Sequence, residues 1–304
     1  MSGNKIQPAY LVEGDEVAII SPSYSIEPQK IDAAVKKLSG WGLKPTVGRN
    51  ALNKSGPFAG TDEERLSDLQ HAVDDPSIKA VICSRGGYGA SRIVDRVDFS
   101  SLKDHPKWFA GFSDITVFHL WLNEVIGVES IHSEMPLHFG SKEKNTASLS
   151  TLRDALFGTL KEIVWDGRIY RPGGVEGEVA GGNLSILYGL TGTPAEPDTK
   201  GKILVIEETG EHFYHVDRML VSLRLAGKLD GLAALVVGGM DDISDSASPW
   251  GKNIEETVID VVKDKDYPVL FGFPAGHISD NRAFYMGRKA KTDITSGRLS
   301  LVYC

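Results

Sequence analysis

Four places in the chain put reactive side chains where an apolar, strand-like run gives out. KWFAGFSDITVFHLWL, residues 107–122, sets Ser113 between a short apolar strand and an amphipathic helix. KILVIE, residues 202–207, ends on Glu207, and PVLFGFP, residues 268–274, leads into Ala275, Gly276 and His277. KAVIC, residues 79–83, opens into the glycine-rich loop SRGGYGASR, which holds Arg85 and Gly87. A serine, an acid, a histidine and a glycine loop are what acyl transfer requires. The hydroxyl becomes a useful nucleophile only when a base takes its proton, histidine is the usual base, and a carboxylate fixes the histidine tautomer. Backbone N–H groups beside the nucleophile then hold the oxyanion. A tight strand-to-helix turn exposes Oγ and aims the first N–H groups of the helix at that charge.

Each piece also has a plainer reading. Serine at a strand-to-helix boundary is a favoured N-cap. GFSDI departs from the GxSxG pattern, with Ile115 where the last glycine belongs. RGGYG is compatible with a simple turn, and the chain has neither GxxxxGK nor GxGxxG. Glu207 is one of several acids around EETGE, and His277 is one of eight histidines. Arg218 and Met219 in HVDRML fit a packed helix face better than a site. On the residues alone the reading reaches a hydrolase and names no substrate.

Positioning these groups is the task of a regular alternation. Strand-like runs at residues 17–21, 44–47, 79–83, 108–112 and 128–132 are separated by helical spacing at 29–38, 89–96 and 114–125. A further helix begins at Thr61, which with Glu64 forms a capping box, and runs to about Asp75 before Pro76. This pattern predicts a parallel sheet covered by helices, with function at the carboxyl ends of the strands. WDGRIYRPGGV, residues 165–175, with Pro172, Gly173 and Gly174, reads as a linker. Beyond it, strands at 202–207, 232–239 and 268–274 alternate with helices at 214–227 and 253–263. The expected architecture is therefore α/β: an N-terminal parallel-sheet, Rossmann-like domain (residues 1–165), a linker (166–175) and a smaller C-terminal α/β domain (176–304), with the active site between the two domains.

Composition narrows the classes. A length of 304 residues suggests two domains. The formal charge of -8 argues against nucleic acid as the main partner, since phosphate binding needs a basic face. No apolar run approaches the roughly 20 residues that span a bilayer. MSGNKIQPAYLVEGDE lacks a signal-like apolar core, so the expected location is cytoplasmic. The two cysteines, Cys83 and Cys304, suggest no disulfide framework, and neither CxxC nor HExxH is present.

These motifs, in this order, resemble the LD-carboxypeptidase family of serine peptidases, which includes the microcin-immunity peptidases. The likeness runs from GDEVAIISPS through FAGTDEERLSDLQHAVDDPSIKAVICSRGGYGASRI, GFSDIT, GGNLSIL and ILVIEETGEHFYHVDRML to GFPAGH. It implies a Ser-Glu-His triad split between two domains, with Ser113 as nucleophile, Glu207 as acid and His277 as base. The backbone N–H groups of Asp114 and Gly87 are the expected oxyanion donors, and Arg85 and Asn183 the expected substrate contacts. The implied reaction frees terminal D-alanine from a murein tetrapeptide during cell-wall recycling, through an acyl-enzyme and without metal or organic cofactor. The resemblance admits a homodimer, which no apolar pattern in the sequence demands.

One stretch departs from the family pattern. IHSEMP, residues 131–136, stands where many members resemble HGPM, so Ser133 and Glu134 replace a small Gly-Pro pair. A negative Glu134 there would either repel a substrate carboxylate or attract the free amine of a diamino acid. Two rival readings remain. A microcin-immunity peptidase, hydrolysing the amide of an aminoacyl- or peptidyl-nucleotide toxin, would share the triad and add an aromatic loop, for which Trp250 is the sole loop tryptophan after residue 175. A two-lobed binding protein would need no reactive serine at all.

Overall fold

The structure, a computed structural model, describes residues 5–141, 146–295 and 298–304. It divides into two compact units, Met1–Leu160 with Ser279–Met286, and Lys161–Ile278 with Gly287–Cys304.

The first unit is built on β1 (Glu16–Ile20), β2 (Lys44–Val47), β3 (Ile78–Cys83), β4 (Trp108–Gly111) and β5 (Ser130–His132). The sheet order is β5-β4-β3-β1-β2, every pair parallel, and the late segment Phe284–Met286 adds antiparallel to the β5 edge. Apart from exposed Lys79, the residues of β3 and β4 are apolar and buried, as strands covered on both faces by helices require. Helix α1 (Pro28–Ser39) starts on a proline at N1 and buries Ile31, Ala34 and Leu38, one stripe at helical spacing. Helix α2 (Asp62–Asp74) has the expected capping box: Glu64 N–H donates to Thr61 Oγ1 at 3.2 Å, and Thr61 N–H donates to Glu64 Oε2 at 2.8 Å. Buried Trp108 packs on Tyr10 and Tyr285, so an aromatic cluster joins the start of the chain, β4 and the late strand.

Two segments read as helices are less regular. Residues 89–96 form two 3₁₀ turns, Ala90–Arg92 and Val94–Arg96, because Gly89 (φ 137°) and Ile93 (φ -126°) lie outside helical conformation. The stretch at 114–125 begins with a 3₁₀ turn at Ser113–Ile115 and continues through helix α3 (Thr116–Leu120). It ends in a π turn at Trp121–Ile126, stopped by Gly127 at φ 82°. Helix α4 (Thr146–Leu156) completes the first unit's main helices.

The second unit carries β6 (Glu162–Trp165), β7 (Ile169–Arg171), β8 (Val175–Asn183), helix α5 (Leu184–Gly189), β9 (Ile203–Thr209), helix α6 (Phe213–Leu225), β10 (Ala234–Asp241), helix α7 (Ile254–Val262) and β11 (Val269–Phe271). With Phe284–Met286 counted as β12 in the first unit, the chain ends in β13 (Lys289–Thr295) and β14 (Arg298–Tyr303). The sheet order is β6-β14-β13-β8-β9-β10-β11-β7, parallel from β8 to β11 and antiparallel outside them. Helix α6 turns Val216, Met219, Leu220 and Leu223 inward, while Arg218 is exposed with its guanidinium over the Tyr214 ring.

The segment expected as a linker, residues 166–175, lies within this second unit. Ile169–Arg171 pairs antiparallel with β11 as an edge strand, and Pro172-Gly173-Gly174 is the turn between β7 and β8. Its glycine-rich composition reflects that turn. Among the described residues, no helix is long and apolar enough to cross a membrane.

Candidate active site

In the first unit, polar groups gather where β1, β3, β4 and β5 end. Ser21 and Ser84 Oγ lie 2.7 Å apart and buried, and Ser133 N–H donates to Gly111 O, tying the chain after β5 to the end of β4. Ser113 stands one residue beyond Phe112, at the head of the 3₁₀ turn, with φ 64°. The N-cap position belongs to Phe112, so Ser113 is not the cap that its residue type suggests. A left-handed backbone at a residue with a Cβ costs about 1–3 kcal/mol and needs enforcement by its surroundings.

Gly86 supplies one part of that enforcement. A methyl group on its Cα would lie 2.9 Å from Ser113 Cβ and 3.0 Å from Oγ, so the glycine loop packs directly against the serine and admits no side chain. Gly87 (φ 108°) turns its bare face to the Tyr24 ring instead. His119 supplies a second part: wholly buried, it donates from Nε2 to Gly111 O at 2.8 Å and accepts the Ser130 hydroxyl at Nδ1, 2.9 Å away. Burial lowers its pKa to about 4, and both bonds suit the neutral ring.

Asp114 is 2% exposed, and its Oδ2 accepts the Ser23 hydroxyl at 2.6 Å and the Ala90 N–H at 2.9 Å. Burial raises its pKa, opposed by those two bonds and the Arg65 charge. Arg85 donates from Nη1 to Ser25 O at 3.0 Å and lies over the Tyr24 ring, which holds its guanidinium against the loop after β1. Glu134 is buried, with Oε1 accepting the Met135 N–H at 3.0 Å and standing 2.7 Å from His138 Nδ1. The Glu134 carboxyl of the IHSEMP stretch is thus engaged by its own neighbours.

In the second unit, two successive glutamates of β9 face opposite ways, as strand alternation requires. Glu207 is fully buried, with Oε2 2.9 Å from Nδ1 of His277, whose side chain is 23% exposed. With Nδ1–H donating to the carboxylate, the other ring nitrogen, Nε2, carries the lone pair. The loop that brings His277 there is tied to β10: Phe273 N–H donates to Val237 O, and Gly239 N–H to Ala275 O. Glu208 instead accepts three N–H bonds, from Asn183 Nδ2 at 2.9 Å, Ser185 N at 2.7 Å and Thr209 N at 2.9 Å. Burial pushes its pKa up, countered chiefly by the Thr209 and Asn183 bonds.

Asn183, expected to touch substrate, caps α5: its Oδ1 accepts the Ile186 N–H at 3.3 Å and the Ser185 hydroxyl at 2.6 Å. The structure therefore gathers Ser113, Asp114 and the Gly86–Gly87 pair in one unit, and Glu207 with His277 in the other. Sequence reasoning passed over the Asp114 side chain, its partner Ser23, and Gly86. The SPS run directly after β1 was the available signal, since a serine pair at a strand end sits where polar chemistry collects.

Two family models match the chain, the LD-carboxypeptidase N-terminal domain over residues 17–133 and the LD-carboxypeptidase C-terminal domain over residues 176–292. A probable murein peptide carboxypeptidase of Bacillus subtilis is 35% identical over 295 residues, covering 93% of this chain and 90% of that one. The crystal structure of a muramoyltetrapeptide carboxypeptidase from Oxalobacter formigenes is 30% identical, with a TM-score of 0.85 over 94% of this chain and 97% of the other. The microcin C7 self immunity protein, solved in complex with aspartyl sulfamoyl adenosine, has a TM-score of 0.87 over 98% of this chain and 99% of its own. Its 22% identity makes that a likeness of fold alone. With both domain models matched and a relative above 30% identity along most of its length, this chain belongs to the LD-carboxypeptidase family and is a serine-type carboxypeptidase.

Proposed function

We propose that this carboxypeptidase hydrolyses the bond between an L-configured centre and a terminal D-alanine in murein tetrapeptides, using Ser113, His277 and Glu207. The observation that carries the proposal is the 2.9 Å bond from His277 Nδ1 to buried Glu207, which sets the imidazole up as a base through Nε2. The left-handed turn at half-buried Ser113 supports the nucleophile assignment, since a strained strand-to-helix turn is what a serine nucleophile needs.

Ser113 Oγ attacks the carbonyl carbon of the L-centre while His277 takes its proton. The tetrahedral oxyanion accepts hydrogen bonds from the N–H groups of Asp114 and Gly87. His277 passes the proton to the departing amine of D-alanine, and Glu207 stabilises the imidazolium in between. Water, deprotonated by His277, then attacks the acyl-enzyme and frees the tripeptide. A murein-peptide substrate is favoured by the names of the Bacillus subtilis relative and the Oxalobacter formigenes structure, at 35% and 30% identity. The aromatic residue that the nucleotide-amide rival would use, Trp250, donates its indole N–H to Thr257 Oγ1 at 2.9 Å and so holds its ring edge to α7.

The test is mass spectrometry of a murein tetrapeptide incubated with the protein and with Ser113→Ala. Loss of one alanine in the wild type alone is the expected result. An intact tetrapeptide with folded wild type overturns the substrate assignment, and cleavage of an aminoacyl sulfamoyl nucleotide in its place would select the rival.

A further inference from the structure

The steps above use the backbone of Asp114 and leave its carboxylate without a task. That carboxylate is nonetheless buried beside the nucleophile, with Oδ2 accepting two bonds and Oδ1 without a hydrogen-bond partner among the described residues. A buried carboxylate with one oxygen unsatisfied is costly to keep, and a hydrophobic residue of similar size would avoid that cost. The groups meeting at Oδ2 come from three chain segments. Ser23 lies in the loop after β1, Ala90 ends the RGGYG loop after β3, and Asp114 belongs to the turn after β4.

The two N–H groups assigned to the oxyanion, on Asp114 and Gly87, sit on the last two of those segments. Gly86 packs on Ser113 with no side chain between them, and the two bonds at Oδ2 tie the same loop and turn together, and to Ser23, a few residues on. We propose that the Asp114 side chain is a positioning residue: by holding Ala90 and Ser23 at Oδ2, it sets the spacing between the two oxyanion donors. This deepens the serine-nucleophile reading and rests on it. Oxyanion donors act only when about 2.7–3.1 Å from the developing charge, and a misplacement of about 1 Å costs on the order of 100-fold in rate. The loss falls on kcat, because the oxyanion exists only in and near the transition state.

The experiment compares wild type with Asp114→Ala, Asp114→Asn and Ser23→Ala on a murein tetrapeptide. Competent sites are counted by end-point reaction with a fluorophosphonate, in which Ser113 Oγ bonds to phosphorus and fluoride leaves. Per labelled serine, Asp114→Ala should lose about 100-fold in kcat with KM changed less than about threefold. Asp114→Asn keeps an amide oxygen that can accept both bonds, and should recover to within about tenfold of wild type. Ser23→Ala removes one of the two ties and should fall between. Wild-type kcat in Asp114→Ala, or an Asp114→Asn as impaired as Asp114→Ala, overturns the proposal. If Asp114→Ala does not fold, an unchanged kcat in Ser23→Ala overturns it instead. A wild type that neither labels at Ser113 nor cleaves the peptide overturns the nucleophile reading, and this proposal falls with it.

Discussion

Gly276 stands so close to Glu207 that a methyl group on its Cα would lie 2.5 Å from Oε2, the oxygen that faces His277. The residue just before the histidine is therefore bare because the carboxylate occupies the space, and its φ of 106° is one that other residues rarely adopt. Gly276→Ala should displace the Glu207 carboxylate and cut kcat/KM by about 100-fold, at a stability cost of roughly 1–3 kcal/mol. Kinetics and a urea titration on the same preparation check both parts; an active Gly276→Ala would contradict the close approach.

The neighbouring glutamates should separate cleanly. Glu207→Gln, which keeps the shape and removes the charge beside the imidazole, should lower kcat by about 10²–10⁴-fold with little change in folding midpoint. Glu208→Gln keeps one oxygen to accept from Asn183 and Thr209 but sets its NH2 against the Ser185 N–H, so its effect should be on stability, about 1–3 kcal/mol. Circular dichroism melts beside steady-state rates distinguish the two patterns, and an exchange of phenotypes would reverse the assignment.

At position 113 two inactive variants should differ in stability. Ser113→Ala keeps a Cβ in the left-handed turn, whereas Ser113→Gly releases it. The glycine variant is expected to be more stable than the alanine variant by roughly 1 kcal/mol. Equal urea midpoints would mean that the turn holds no strain.

His119 predicts a pH dependence of stability. Its pKa falls from 6.5 to about 4 on burial, so between those values the unfolded chain binds a proton that the folded protein does not. The stabilising contribution is complete above about pH 6.5 and is lost as the pH drops toward 4. A shift of this size corresponds to roughly 3 kcal/mol. Denaturant midpoints of wild type should decline through that window more steeply than those of His119→Gln, and parallel declines would refute the assignment.

Local chemistry made much of the fold legible. The Thr61–Glu64 box fixes where α2 begins because both partners lie within one turn, and the apolar runs of β3 and β4 announce buried parallel strands. What escaped depends on distant partners. Ile169–Arg171 is a strand only because β11 pairs with it, and Phe284–Met286 only because β5 offers an edge. Glu207 was legible as a strand-end acid, although β9 runs on to Thr209 and the choice between adjacent glutamates turns on which face meets His277. Asn183 was named through the resemblance; that its amide caps α5 and donates to Glu208 depends on a strand twenty-five residues away, which GGNL alone does not show. The roles of Asp114 and Gly86 rest on contacts between three loops, which no spacing within one of them reveals.

The strand at Phe284–Met286 bears on the order of events at the ribosome. His132 at the β5 edge stacks on Phe284, with ring centroids 4.4 Å apart, and Tyr285 closes the aromatic cluster around Trp108. At translation speeds of about 5–20 residues per second, the sheet that carries Ser113 waits several seconds for its final strand, while nearly the whole second unit is made. Until then an unpaired edge is exposed, which is a point of vulnerability to mispairing and to holdase capture. A fragment ending near residue 160 would carry that open edge permanently, so the nucleophile-bearing half is best expressed with the rest of its chain.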